Sequence, residues 1–325
     1  MAPSTTPVFD TYWRFAAERQ AIFCRRLTDP VGPWTDDPIL RSYRFTNAYR
    51  ASDRVSQYLI REVQYRADRP QTPPELFFRT LLFKFFNRIR TWEEIERAIG
   101  PVVSERFDLT AIARVLETMI KRGMPVYSPA YIMPAPRLGC RRKYENHLAL
   151  LARMIRARLP ERIERAPSLK SVYEMLLAFP GIGRFLAFQY AVDLNYSAML
   201  NFEEADFVVA GPGAIDGIAK CFETAGGMTP EDVIHWVVER QDAEFARLSL
   251  RFQDLFGRRL QPVDIQNIFC EVSKYTRVSH PEVAGASGRT RIKQTYRPNS
   301  APLAEPMYPP RWRLRLSRPL TFPCR

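Results

Sequence analysis

The sequence predicts a mainly α-helical protein, and three observations carry that prediction. Apolar residues recur at helical spacing as far as His280, the breaks between these stretches fall at proline and glycine, and runs with the two-residue period of a strand are scarce. The chain has 325 residues, 46% of them hydrophobic, enough to bury a large core as one domain or two lobes.

The elements follow in order. Phe9 to Leu27 carries Tyr12, Phe15, Ala16, Ile22 and Phe23 on helical spacing and stops at Pro30, Gly32 and Pro33. Thr46 to Tyr65 reads as a second helix with a stripe of Tyr49, Val55, Tyr58, Leu59 and Val63. Pro73-Pro74 opens Glu75 to Ile89, apolar nearly all round and therefore the expected central buried helix. Trp92 to Ile99 and Leu109 to Arg122 continue the pattern, and Gly123 to Pro136, with four prolines, reads as an ordered loop. Glu145 to Leu159, Leu169 to Ala178, Arg184 to Asn195, Ala214 to Thr224, Pro230 to Phe256 and Pro262 to Tyr275 complete the helices. Phe207-Val208-Val209 is too short to make a sheet alone. The expected division is a helical domain over 1–284 and a weakly ordered basic tail over 285–325, where glycine, serine, proline and arginine replace helical periodicity.

Charge narrows the partners. Forty-eight Lys and Arg against thirty-five Asp and Glu give +13, of which the tail supplies +8, and such an excess suits a polyanion such as DNA. Arginine far outnumbers lysine, as planar, bidentate phosphate contacts favour, although GC-rich coding enriches arginine too. Arg141-Arg142-Lys143 forms a compact basic patch, and Arg311-Trp312-Arg313-Leu314-Arg315 alternates an aromatic with cations as single-strand binders do. Five cysteines lie scattered without a CxxC pair, which argues against a zinc finger or an iron–sulfur cluster, and His147, His235 and His280 are isolated, so no metal or cofactor is expected. No secretory leader pattern and no apolar run of roughly 18 residues is present, so the expectation is a soluble protein, cytoplasmic in a bacterial or phage-infected cell, with no membrane partner. No GxxxxGK[ST] loop occurs, so the chain is not expected to be a kinase by itself.

The segment with most chemistry is Phe179-Pro180-Gly181-Ile182-Gly183, which separates two helices. Two glycines around one apolar residue permit a tight turn with outward backbone amides, and with the next helix start at Arg184 they make a phosphate site from Gly181, Ile182, Gly183 and Arg184. An ordinary helix–helix turn has the same composition. Downstream, Glu203, Glu204 and Asp206 precede the turn Gly211-Pro212-Gly213. A carboxylate there sits near a helix start, either as a helix cap or as a group that the backbone donors keep ionised.

Here the chain resembles the helix-hairpin-helix DNA glycosylase superfamily, whose hairpin reads Leu-Pro-Gly-Val-Gly and precedes a catalytic aspartate. Phe179 replaces the leucine, and Asp206 lies 23 residues beyond Gly183. The resemblance implies a two-lobed, mainly α-helical glycosylase-like fold, with Asp206 as the catalytic carboxylate and Glu203 or Glu204 as alternatives. The lysine of the bifunctional members is replaced by Phe185, which implies base release without lyase strand cleavage.

Three more stretches resemble a narrower group associated with phage thymine hypermodification: the helical domain of 5-hydroxymethyluracil DNA kinases and the α-glutamyl/putrescinyl thymine pyrophosphorylases. They are Pro33 to Pro38 with Arg44 to Leu59, Ser128 to Ile132, and Asp264 to Tyr275. Helical spacing puts Asn47, Arg50 and Arg54 on one face and Asp53 and Gln57 on another, while Asn267, Glu271 and Lys274 share a face beside Tyr275. With Tyr131 they form a candidate pocket for a polar, flipped base, or equally a hydrogen-bond network that fixes packing. The expected function is excision of a 5-hydroxymethyl-derived pyrimidine by a monofunctional N-glycosylase in defence against phages. The alternatives are a hypermodification enzyme acting on activated 5-hydroxymethyluracil and a DNA-binding module without chemistry.

Overall fold

Helices dominate because each apolar stretch ends on a residue that caps or breaks it. The computed structural model describes residues 3–104, 108–130, 133–298 and 301–314. Among them are thirteen α-helices: α1 (Pro7–Thr28), α2 (Pro38–Ser42), α3 (Arg54–Tyr58), α4 (Pro73–Phe86), α5 (Ile89–Ile99), α6 (Leu109–Lys121), α7 (Lys143–Arg156), α8 (Leu159–Glu164), α9 (Leu169–Leu177), α10 (Arg184–Tyr196), α11 (Pro212–Cys221), α12 (Pro230–Arg247) and α13 (Pro262–Ser279). The described strands are two short ones, β1 (Ser4–Thr5) and β2 (Phe222–Thr224), paired antiparallel. The all-α expectation therefore stands.

Contacts group the chain into two units. The first comprises the described residues up to 53, 207–306 and 312–314, and so contains α1, α2, α11, α12 and α13. Its core is aromatic: Tyr12 lies 4.5 Å from Phe269 and 5.0 Å from Trp13, and Trp13 lies 4.9 Å from Phe245. Helices α11 and α13 approach backbone to backbone, because a Cβ on Gly217 would lie 2.1 Å from the Phe269 carbonyl oxygen. The second unit comprises 54–206 and 307–311 and contains α3 to α10. Its centre is α4, buried from Glu75 to Phe86 as its all-round apolar sequence predicts, and α10, buried from Leu186 to Tyr196. Two ion pairs lie inside this core, Arg79 with Glu75 at 3.3 Å and Lys84 with Asp193 at 3.1 Å.

Four helix expectations need correction. Thr46 to Tyr65 is not one helix: residues 44–49 are irregular, Arg50–Ser52 is a 3₁₀ turn, and α3 continues into a π-helical turn over Leu59–Gln64. The cause is local, since the Asp53 carboxylate accepts the Asn47 amide at 2.7 Å and offers the backbone an alternative to the helix. Glu145 to Leu159 breaks at Arg158, whose left-handed φ of 52° leads into α8 with Pro160 in its first turn. Helix α12 ends at Arg247 rather than Phe256, because the Gln241 amide donates to and accepts from the Leu260 backbone and folds the next segment back. Phe222–Thr224 leaves α11 to pair with β1.

The described part of the tail is tethered. Thr295 bridges to Tyr43, and the Tyr296 amide donates to the Ser42 carbonyl at 2.9 Å. The Ser287 amide donates to buried Asp216 at 2.6 Å. Met307 exchanges two hydrogen bonds with the Gln57 amide, at 2.8 and 3.0 Å.

Candidate functional site

Two constellations collect the residues singled out in the sequence. The first lies in the second unit. Helix α9 starts at Ser168, whose hydroxyl accepts the Ser171 amide at 3.1 Å, and it ends in the glycine turn. Gly181 takes φ of +79°, which excludes other residues without strain, and its missing Cβ would lie 2.9 Å from Pro136. Ile182 is buried and pins the turn, while Gly181, Gly183 and Arg184 are exposed. Gly183 caps α10 in extended conformation, nothing would meet a Cβ built on it, and its carbonyl accepts the Ala187 amide at 2.9 Å. The result is an exposed glycine edge at the positive end of a 13-residue helix, geometry that suits a phosphate.

The second constellation lies in the first unit and ties residues 44–53 to α13. Glu271 accepts the Thr46 amide at 3.0 Å and the Lys274 ammonium at 2.6 Å. Lys274 also donates to the Arg44 carbonyl at 2.7 Å and lies 4.5 Å from the Phe45 ring centre. The Asn267 amide donates at 3.1 Å both to the Thr46 hydroxyl and to the Asn47 carbonyl. The Asn47 side chain accepts from Arg19 at 2.6 Å and donates to the Ser52 carbonyl at 2.7 Å. Asp264 caps the junction by accepting the Arg50 amide at 2.8 Å, and the Tyr275 hydroxyl donates to Asp37 at 2.6 Å. Burial, with the Glu271 charge adding to it, outweighs the Asn47 amide and the cations Arg19 and Arg50 and pushes the Asp53 carboxyl up to about 7. Its two neighbouring cations differ in exposure, Arg50 being buried and Arg19 half-buried.

The structure thus joins Asn47, Arg50, Asp53, Asn267, Glu271, Lys274 and Tyr275, though through an irregular segment rather than one helix face. Most of the polar atoms in this set are engaged with one another, so the network fixes the 44–53 segment. Arg54 and Gln57 belong to the second unit, where Gln57 holds Met307. Tyr131, with Ile132, lies outside the described residues.

The three acids have separate fates. Glu204 is buried and its carboxylate stands 3.6 Å from Arg311, which also donates to the Asn195 and Phe202 carbonyls. Glu203 and Asp206 are exposed. Asp206 does not cap α11, since that position belongs to Gly211. Sequence reasoning missed Arg19, which shows no motif, and although it quoted Asp264 and Arg311 it missed their roles, which appear only through partners distant in the chain. It also set aside His147 as isolated. No cluster of three or more metal-ligating side chains is present among the described residues, and no described helix is long and apolar enough to cross a membrane.

Fold and site together define an all-α domain with an exposed glycine hairpin at a helix start and a polar knot on its last long helix. The chain belongs to the family described as 5-hmdU DNA kinase, helical domain, which matches residues 6–285. It is 29% identical over 289 residues to the 5-hmdU DNA kinase of Bacillus phage SP10, a match that covers 82% of this chain and 45% of that protein. The chain thus spans less than half the length of that relative. No solved structure matches the chain.

These matches overturn the expected excision. Both the family and the relative are named for a kinase, which transfers phosphate, and not for an N-glycosylase, which hydrolyses the base–sugar bond. The reading of the chain as a hydrolase in base excision is withdrawn, and with it Asp206, Glu203 and Glu204 as glycosidic carboxylates. The alternative drawn from the narrower resemblance, modification of 5-hydroxymethyluracil, fits better.

Proposed function

We propose that this chain is the DNA-engaging helical unit of a 5-hydroxymethyluracil-modifying activity, with phosphoryl transfer to the 5-hydroxymethyl group as the chemistry it serves. The observation that carries the proposal is the family match over residues 6–285, continuous through the hairpin and α13. The glycine edge of Gly181, Gly183 and Arg184 holds the DNA backbone, as the hairpin of helix-hairpin-helix proteins does. Asn267 and Lys274, half-buried on α13, support the reading by holding the 44–53 segment, which belongs to one of the stretches shared with that family. Residues 1–325 contain no GxxxxGK[ST] loop, so the proposal assigns this chain the DNA and no phosphate-binding loop of that type for a nucleotide. DNA in the phage-infected cell is the partner this reading assigns.

The test incubates a 5-hydroxymethyluracil duplex with the chain and ATP, digests it to nucleosides and weighs them. The proposal expects every base to remain attached to its sugar and no phosphorylated nucleoside from this chain alone. Released free base contradicts the modification reading, and a phosphorylated nucleoside contradicts the division of labour.

A further inference from the structure

Between Arg137 and Arg184 the sequence holds eleven Arg or Lys and four Asp or Glu, a net +7, and with +8 beyond residue 284 this leaves −2 for the rest of the chain. The charge outside the tail is therefore concentrated in the segment that ends at the hairpin. At its start the Met133–Arg142 loop has no regular structure yet is tied down by hydrogen bonds. The Asn146 side chain, at the start of α7, accepts the Leu138 and Cys140 amides at 2.9 and 3.4 Å and donates to the Cys140 and Arg142 carbonyls, both at 2.8 Å. Next to it, His147 bonds to the Pro134 carbonyl at 3.0 Å and to the Tyr127 hydroxyl at 2.8 Å. A carbonyl only accepts, so Nε2 carries the proton and Nδ1 accepts from Tyr127. Burial pushes the His147 imidazole down to about 4, which keeps this latch neutral at ordinary pH. Pro136 of the same loop rests against Gly181. Arg137, Arg141 and Arg142 are all exposed, and among the described residues none of them makes an ion pair.

We propose that the Met133–Arg142 loop is a second grip on the nucleic-acid backbone, built against the hairpin so that Arg137, Arg141 and Arg142 take phosphates neighbouring the one at Gly183. Asn146 is its positioning residue. A loop that merely connected α6 to α7 would need neither four side-chain hydrogen bonds from one buried asparagine nor a histidine latch. Arg141, Arg142 and Lys143 are consecutive cations that repel one another, a cost that a polyanion relieves. The inference rests on the DNA reading above.

The test measures the affinity of the full chain for a duplex oligonucleotide across a salt series, for the wild type, the triple variant Arg137→Gln/Arg141→Gln/Arg142→Gln, Gly183→Val and Asn146→Ala. Each lost phosphate contact flattens the log–log salt slope by about 0.9, so the triple variant should flatten it by roughly 2–3 and weaken binding on the order of 100-fold at physiological salt. Asn146→Ala should weaken binding too, and add little further loss in the triple background, whereas a purely structural loss would add in full. An unchanged slope in the triple variant, with binding reduced in Gly183→Val, overturns the second grip and leaves the hairpin reading intact. A wild type that binds no DNA at low salt overturns both.

Discussion

Replacing Gly217 by alanine tests the packing that positions α13. A Cβ there would stand 2.1 Å from the Phe269 carbonyl oxygen and 2.7 Å from its carbon, against about 3.4 Å for ordinary contact, so α11 and α13 must separate by about 1.3 Å. Overpacking of this kind costs about 1–3 kcal/mol, occasionally more, and the obstacle here is backbone that has no rotamer to yield. Alanine in a helix returns up to about 1 kcal/mol relative to glycine. The balance is a loss of about 2 kcal/mol, equivalent to a melting point lower by about 4–8 °C for a unit of this size. Gly213→Ala provides the internal comparison, because its Cβ would meet the Cys270 sulfur at 2.3 Å, a side-chain atom that rotates away more cheaply. Differential scanning calorimetry should therefore rank wild type above Gly213→Ala above Gly217→Ala. A Gly217→Ala protein that melts at or above the wild-type temperature would refute the close approach.

Three further outcomes follow from particular residues. Lys84→Met removes the cationic partner of fully buried Asp193 and should cost about 3–5 kcal/mol in urea unfolding, most of it recovered in Lys84→Met/Asp193→Leu, where the stranded charge is gone. Asp53 has a folded pKa of about 7 against an ordinary 3.8, so the native state holds its proton more tightly. Its contribution to stability is full below about pH 4 and is lost as pH rises through 7. Asp53→Asn, whose side-chain oxygen still accepts the Asn47 amide, should flatten that decline in urea midpoints taken from pH 5 to 8, and parallel profiles would contradict the assignment. Gly181→Ala places a side chain at φ of +79° and against Pro136, so it should lose about 1–2 kcal/mol of stability and reduce DNA affinity in an anisotropy titration.

Much of the fold was legible because hydrophobic period and punctuation agreed. The Pro73–Phe86 helix reads as buried from its unbroken Leu and Phe content, and α9, the hairpin and α10 fall within a residue of where Gly181 and Gly183 put them. Where side chains compete with the helix for backbone groups, the period misled. Asp53 captures the Asn47 amide, Gln241 captures Leu260, and in both places a sequence with helical spacing folds back on itself. The site was legible residue by residue but not in geometry: Asn267, Glu271 and Lys274 do share a face of α13, yet their partners Thr46, Asn47 and Arg44 lie over 200 positions away. The function was misjudged for a different reason. A glycine hairpin followed by an acid is common ground between chemistries, so the hairpin pointed to DNA and could not separate excision from modification.

The affinity of the full chain for two duplexes that differ at one base, thymine or 5-hydroxymethyluracil, measured at one fixed salt concentration, tests the central claim most directly. The backbone grip is identical for both, so any ratio reports the hydroxymethyl group. A hydrogen bond made to that hydroxyl should favour the modified duplex by about tenfold, the equivalent of about 1.4 kcal/mol. Equal affinity would contradict the account by showing that this helical unit holds DNA without reading the base.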